Sequence, residues 1–244
     1  MPEGYKKPGE QRTNASVKFY KFKSRLLVEE DKWHEYKAHK ALSTEEVPHI
    51  NKQLHSRQSV SRTICSFLNT GEGGTVYLGI MDGGLVVGLP LTECQKDHLT
   101  LSLEHLMARY RPQVPKHMYE LRFVPVISKD APEPKEESST RAKERMRSHD
   151  LKTAMLCWCE TESATQIDVG EVVQRYIIEI EVFAWDSFDP RNEPLNFSFM
   201  GLHPMFDNEE MLCFIRCQGS NIRLTIPEVA EITRMEVNRH YTTK

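Results

Sequence analysis

The chain has 244 residues, 39% hydrophobic and 27% charged, enough apolar material for a sizeable core. Its formal net charge of -3, from 32 Lys+Arg against 35 Asp+Glu, excludes a globally basic nucleic-acid coat, so contact with phosphates must come from local patches. No apolar run approaches the roughly 20 residues of a membrane span, and the polar, basic start has no signal-peptide core. The expectation is a cytoplasmic or nuclear chain with no membrane partner, whose six cysteines are thiols rather than disulfides.

Residues 1–16 are polar and aperiodic and read as a flexible tail, with 17–244 forming one core domain. "VKFYKFKSRLLVEE" alternates aromatic and basic residues as a strand does, and "WHEYKAHK" continues as strand. "STEEVPHINKQLHSRQSVSRTICSFLN" reads as a helix with Ser43 and Glu46 as capping box, stopped at "NTGEGG". "TVYLGI" predicts a buried strand and "DGG" a hairpin turn into "LVVGL". A helix over "TECQKDHLTLSLEHLMARY" and a strand over "MYELRFVPVI" follow. The charged, aperiodic stretch at about 129–150 predicts a mobile insertion. Beyond it, "TAMLCWCETES" and "QRYIIEIEVFAWDS" read as a hairpin, "NFSFMGL" and "MLCFIRCQG" as strands, and "SNIRLTIPEVAEITRMEV" as a strand and closing helix. The fold class is therefore α+β, with mixed or antiparallel sheets and flanking helices.

Glu30 and Glu35 flank a strand start, and Asp82 ends the "TVYLGIMD" strand. Three convergent carboxylates make a hard-oxygen site for Mg²⁺ or Mn²⁺, which stabilises charge on a phosphate and activates water. Residues five apart on a regular strand face opposite sides, so Glu30 must sit on a turn or bulge to join Glu35. Lys37, two residues on from Glu35, shares its face. Solvated surface acids are the competing reading. Lys21, Lys23, Arg25, Lys40, Arg57 and Arg62 fall in the same region and supply a basic rim for RNA. The glycines of "NTGEGG" admit a phosphate cradle for ATP, but no Lys-Ser or Lys-Thr follows them. The "CWC" and "CFIRC" cysteines lack tight zinc spacing and read as core thiols.

"EDKWHEYK" followed by "SRTICSFLNTGEGGTVYLGIMDGGLVVGL" resembles the signature of the Schlafen proteins and their AlbA_2-type domain. That pattern is an E-x₄-E-F-K segment, a helix ending in A-F-A-N-T-x-G-G, a strand ending in G-V-x-D and a V-x-G turn. Here it falls on Glu30, Glu35, Tyr36 and Lys37, then Ser66 to Gly74, then Gly79 to Asp82, then Val87 and Gly88. The match is closest over residues 25–127. The resemblance implies a Schlafen core lobe acting as an endoribonuclease on tRNA, rRNA or small-RNA precursors such as piRNA precursors. Glu30, Glu35 and Asp82 would be its metal-binding acids. It also implies pairing into a homodimer or a heterodimer with a second Schlafen-like subunit, through apolar strand surface in "QRYIIEIEVFAW" and "LNFSFMGL". A non-catalytic RNA-binding or scaffold subunit is the alternative. The family's zinc site uses a His-x-Cys pair and adjacent cysteines. "LNFSFMGL" stands where those cysteines would be, so structural zinc is expected to be absent.

Overall fold

Alternation along one buried strand organises the layers. The computed structural model describes residues 18–47, 59–128, 131, 147–151, 156–169, 173–195 and 202–242. The tail, Arg57, residues 196–201 of the strand expected at 196–202 and most of the 129–150 insertion lie outside the described residues. In strand β3 (Gly74–Leu78), Val76 and Leu78 face one side of the sheet and Tyr77 the other, as period two demands.

The strands are β1 (Tyr20–Lys21), β2 (His34–Lys37), β3, β4 (Ile80–Met81), β5 (Leu85–Val86), β6 (Leu89–Pro90), β7 (Tyr119–Ile127), β8 (Arg175–Val182), β9 (Cys213–Cys217) and β10 (Ser220–Leu224). The main sheet runs β1–β7–β8–β3–β2, with β6 also pairing β8. β1 with β7 and β2 with β3 are parallel, and the pairs involving β8 are antiparallel. β4–β5 and β9–β10 form two separate hairpins. Four α-helices are described: α1 (Val60–Thr70), α2 (Glu93–Ala108), α3 (Trp158–Asp168) and α4 (Ile226–Thr242). None is long and apolar enough to cross a membrane. The expected α+β class is what the chain forms.

Helix α1 is covered on both sides. Val60, Ile64, Phe67 and Leu68 enter the larger core with Leu99, Leu103, Leu106 and Met107 of α2 and Ile178, Ile180 and Val182 of β8. Its small polar residues instead receive the β9–β10 hairpin. Ser66 Oγ donates to Asn221 Oδ1 at 2.8 Å, and Asn221 Nδ2 to Thr63 Oγ1 at 2.8 Å. Asn69 Nδ2 donates to the carbonyls of Phe206 and Phe214, both at 2.9 Å. These buried polar side chains thus acquire partners across the seam. The opposite sheet face holds a smaller core of Tyr20, Tyr36, Tyr77, Ile80, Val86, Val124, Val126 and Ile177.

Two expectations are corrected. The described part of "TAMLCWCETES", from Leu156 on, does not form a strand: Cys157 stands at the N-cap position of α3, and the helix takes residues 158–168. Its short apolar run does not discriminate between a strand and a helix start. β8 offers no open apolar surface, because β7 and β3 flank it and residues 177–182 are buried.

Gly73 ends the turn after α1 with φ +72°, and an added Cβ would lie 2.5 Å from the Val182 carbonyl oxygen. Gly73→Ala is therefore expected to destabilise the fold by about 2 kcal/mol or more, from left-handed backbone strain plus the overlap. Urea unfolding measures it; an unchanged midpoint would show that the turn relaxes freely.

Candidate active site

The bend before β2 places Glu30. Asp31 Oδ1 accepts from Trp33 N at 2.7 Å and His34 N at 2.8 Å, closing an Asx-type turn. The chain doubles back, and Glu30 Oε1 accepts from Tyr36 N at 2.8 Å. Glu30 thus lies on a bend, as joining Glu35 requires. Tyr36 points into the smaller core, so Glu35 and Lys37 face the opposite side, toward α1 and the C-terminal hairpin. Gly79 N donates to Lys37 O at 2.7 Å, carrying the chain past the end of β2 and into the β4–β5 turn that bears Asp82.

Glu35 is buried, with both oxygens engaged. Oε1 pairs with the Lys37 ammonium, and Oε2 accepts from Arg216 at 2.6 Å. Arg216 is also buried and donates to the carbonyls of Asp31 (2.9 and 3.1 Å) and His34 (3.1 Å) and to Asn221 Oδ1 (2.9 Å). Its guanidinium lies 5.4 Å from the Phe67 ring centre. The hairpin turn closes over the same place, since a Cβ on Gly219 would stand 3.4 Å from the Glu30 carbonyl oxygen. Motif reasoning on the sequence misses Arg216. The signal that could find it is alternation: in "CFIRC", Arg216 shares the inward face with Phe214, and a charge on such a face requires a partner.

Glu30 senses the whole group. Partial burial raises its carboxyl above the ordinary value, the Tyr36 hydrogen bond lowers it, the charge of Glu35 raises it, Lys37 lowers it and Asp82 raises it. The three acids and Lys37 therefore share one electrostatic neighbourhood. The donors are all carboxylate oxygens, the chemistry of hard divalent cations, and a cation would relieve the like-charge crowding at Glu30. Glu30 and Asp82 are exposed, whereas Glu35 is already neutralised by two cationic side chains.

The expected basic rim divides. Lys21, Lys23 and Arg25 are exposed on the segment alongside β5. Lys23 N donates to Val86 O at 2.9 Å, and Arg25 forms a bridge with Leu85, next to the Asp82 turn. Lys40 and Arg62 face other duties. Lys40 pairs with Glu160 of α3, and Arg62 makes a two-pronged pair with Glu210 at 2.9 and 3.0 Å. The glycine turn is not an open phosphate cradle: Cβ atoms on Gly71, Gly73 and Gly74 would strike His203, the Val182 carbonyl and Phe67.

A second group of ligand-type side chains lies elsewhere. His98 of α2, His149, and Cys157 and Cys159 at the start of α3 bring their ligand atoms within 4.8 Å of one another. Among the described residues this is the group of three or more that converges so closely. Burial pushes the Cys159 thiol up to about 12 and, with the adjacent His149, pushes His98 down. Zinc-type ligands therefore meet here, although the family's adjacent cysteines are missing and Cys157 and Cys159 read as core thiols in the sequence. Cys157 and Cys159 belong to a helix start rather than a strand, and their partners come from distant histidines that no local spacing reveals. His149 also anchors the C-terminal end of the stretch expected to be mobile.

A family model described as Schlafen, AlbA_2 matches residues 30–193, more than half of the chain. The match begins at Glu30 and spans Glu35, Lys37 and Asp82, but ends before Arg216.

Removing Arg216 while keeping Glu35 leaves a buried carboxylate with Lys37 as its only cation. Arg216→Met is expected to cost about 3–5 kcal/mol. The Glu35→Gln/Arg216→Met double variant is expected to lose less than the sum of the single losses. Strictly additive losses in a denaturation cycle would show that the two side chains are energetically independent.

Proposed function

The chain belongs to the Schlafen AlbA_2 family, whose functions are nucleic-acid-related, and from that premise we propose that it is a divalent-metal-dependent endoribonuclease subunit hydrolysing phosphodiester bonds in structured RNA or RNA precursors. The observation that carries this reading is the meeting of Glu30, Glu35 and Asp82 with Lys37, beside the exposed cations Lys21, Lys23 and Arg25.

In this reading Glu30, Glu35 and Asp82 hold Mg²⁺ or Mn²⁺, which when bound neutralises charge at the scissile phosphate and makes water more acidic. The protein's own groups do the positioning. The Tyr36 N–H fixes one oxygen of the Glu30 carboxylate. Arg216 fixes Glu35 from the C-terminal hairpin. Lys37, beside Glu35, would offer its ammonium to the phosphate. Lys21, Lys23 and Arg25 attract the RNA backbone before it is cut.

A specific observation favours a second reading, a non-catalytic RNA-binding subunit: both Glu35 oxygens are neutralised by side chains alone. Cleavage of a panel of structured RNAs in Mn²⁺, Mg²⁺ or EDTA separates the two. Glu30→Gln, Glu35→Gln and Asp82→Asn are each expected to lower cleavage by orders of magnitude with RNA binding retained. Parent-like cleavage by a folded Glu35→Gln chain would overturn the nuclease reading. Binding without cleavage, in every metal and with every partner, would establish the second.

Reversing charge at Lys21, Lys23 and Arg25 is expected to weaken RNA binding. The log–log dependence on salt is expected to flatten by about one unit for each phosphate that is no longer neutralised. An unchanged slope would move the RNA path elsewhere.

The proposal includes pairing, with a second copy or another Schlafen-like chain. β8 is enclosed in the sheet, so the pairing rests on the family resemblance alone. Light scattering on the chain alone and with co-expressed partners tests this. A monomer in every mixture that still cut RNA would overturn it.

A further inference from the structure

The group at His98, His149, Cys157 and Cys159 is separate from the carboxylate site and independent of whether the chain cuts RNA. We propose that these four side chains form a structural Zn²⁺ site that clamps the chain segment between β7 and β8 onto helix α2.

Three of the six edges match one tetrahedral ion, and all four ligand atoms lie within 4.8 Å of one another. Zn–N bonds of about 2.05 Å and Zn–S bonds of about 2.3 Å set tetrahedral edges of about 3.3 Å between nitrogens and about 3.6 Å between nitrogen and sulfur. The nitrogens His98 Nδ1 and His149 Nδ1 lie 3.3 Å apart. His149 Nδ1 is 3.4 Å from Cys157 Sγ, and His98 Nδ1 is 3.5 Å from Cys159 Sγ.

The tautomer of His149 points the same way. Its Nε2 lies 3.2 Å from Asp97 Oδ2, so Nε2 carries the proton and the Nδ1 lone pair faces the other three ligands. A carboxylate behind a histidine in this manner fixes the ring and strengthens it as a ligand. Trp158 stacks on the same ring, 5.1 Å between centres and 14° from parallel, and donates from Nε1 to Ser148 O at 3.2 Å. His98 is buried, and its Nε2 has no hydrogen-bond partner. Burying that ring costs free energy that a metal–Nδ1 bond would offset.

The donor set also fixes the type of site. Two imidazoles and two thiols suit zinc and not Mg²⁺ or Mn²⁺, and four protein ligands leave no open position for a substrate. The ligands are not the adjacent cysteines that the family resemblance locates near residues 195–202. They join α2 to a segment that begins after residue 127, at the charged insertion. Zinc there would do what the small apolar area of that segment does not: hold α3 in place, and with it Glu160, which pairs with Lys40.

The test uses the full chain purified from zinc-containing medium. Elemental analysis is expected to give one zinc per chain, lost in Cys157→Ser/Cys159→Ser. Asp97→Asn is expected to weaken zinc binding about ten- to a hundredfold. Cobalt substitution of the parent chain guards against a variant that fails to fold. The expected spectrum has intense tetrahedral bands and thiolate charge-transfer absorption. Chelation is expected to expose two more reactive thiols and lower the melting temperature. A parent chain that neither carries nor takes up zinc overturns the proposal. So does cobalt uptake without the thiolate signature, which would place the ion on the carboxylates, or full zinc retention in the double-cysteine variant.

Discussion

A buried guanidinium imposes the central constraint on this fold. Arginine does not lose its proton in a protein, so a side chain as enclosed as Arg216 must find acceptors for its donors or the fold does not form. They come from the bend before β2, from Glu35 and from its own hairpin. Satisfying them draws the C-terminal hairpin against the edge of the main sheet, with α1 beneath. The acidic group is therefore not a property of the N-terminal segment alone: a residue 181 positions later in the chain decides where Glu35 points.

Much of this is legible in the sequence because local chemistry and tertiary placement agree. The alternation in "TVYLGI", the turn at "DGG", the glycine stop after α1 and the stripe of α2 each carry a local signal that the packed chain uses directly. The nearness of Glu30, Glu35 and Asp82 is legible for the same reason: they lie on the bend before β2, on β2 and on the β4–β5 turn, whose placement follows from the pattern. What escapes is long-range. Arg216 lies outside the acidic segment, and its role exists only once β9 meets β2. The start of α3 misleads because a short run with one tryptophan and two cysteines satisfies a strand as well as a helix. Lys40 and Arg62 resemble a phosphate rim because sequence shows a charge but not the carboxylate across the fold that occupies it.

The molecule also separates two donor chemistries in space. Oxygen donors cluster where β2 and β3 end, partly open to solvent, with cationic side chains close by. Nitrogen and sulfur donors cluster between α2 and α3, with both thiols buried. Hard and soft cations would therefore be sorted by ligand type rather than by competition for one site. Lys40 links the two regions, since it lies three residues beyond Lys37 and pairs with the residue after Cys159.

Glu30 has a consequence beyond its charge. β2 is the terminal strand of the main sheet, and such a strand normally offers outward N–H groups to any passing extended chain. The Tyr36 N–H, one of these, is already taken by the Glu30 carboxylate. The acid thus seals the sheet against addition of a foreign strand as well as bearing charge. Glutamine at position 30 keeps an acceptor oxygen for that N–H, whereas alanine frees the edge for pairing. A loss caused by self-association can in this way be told from a loss of chemistry at the same residue.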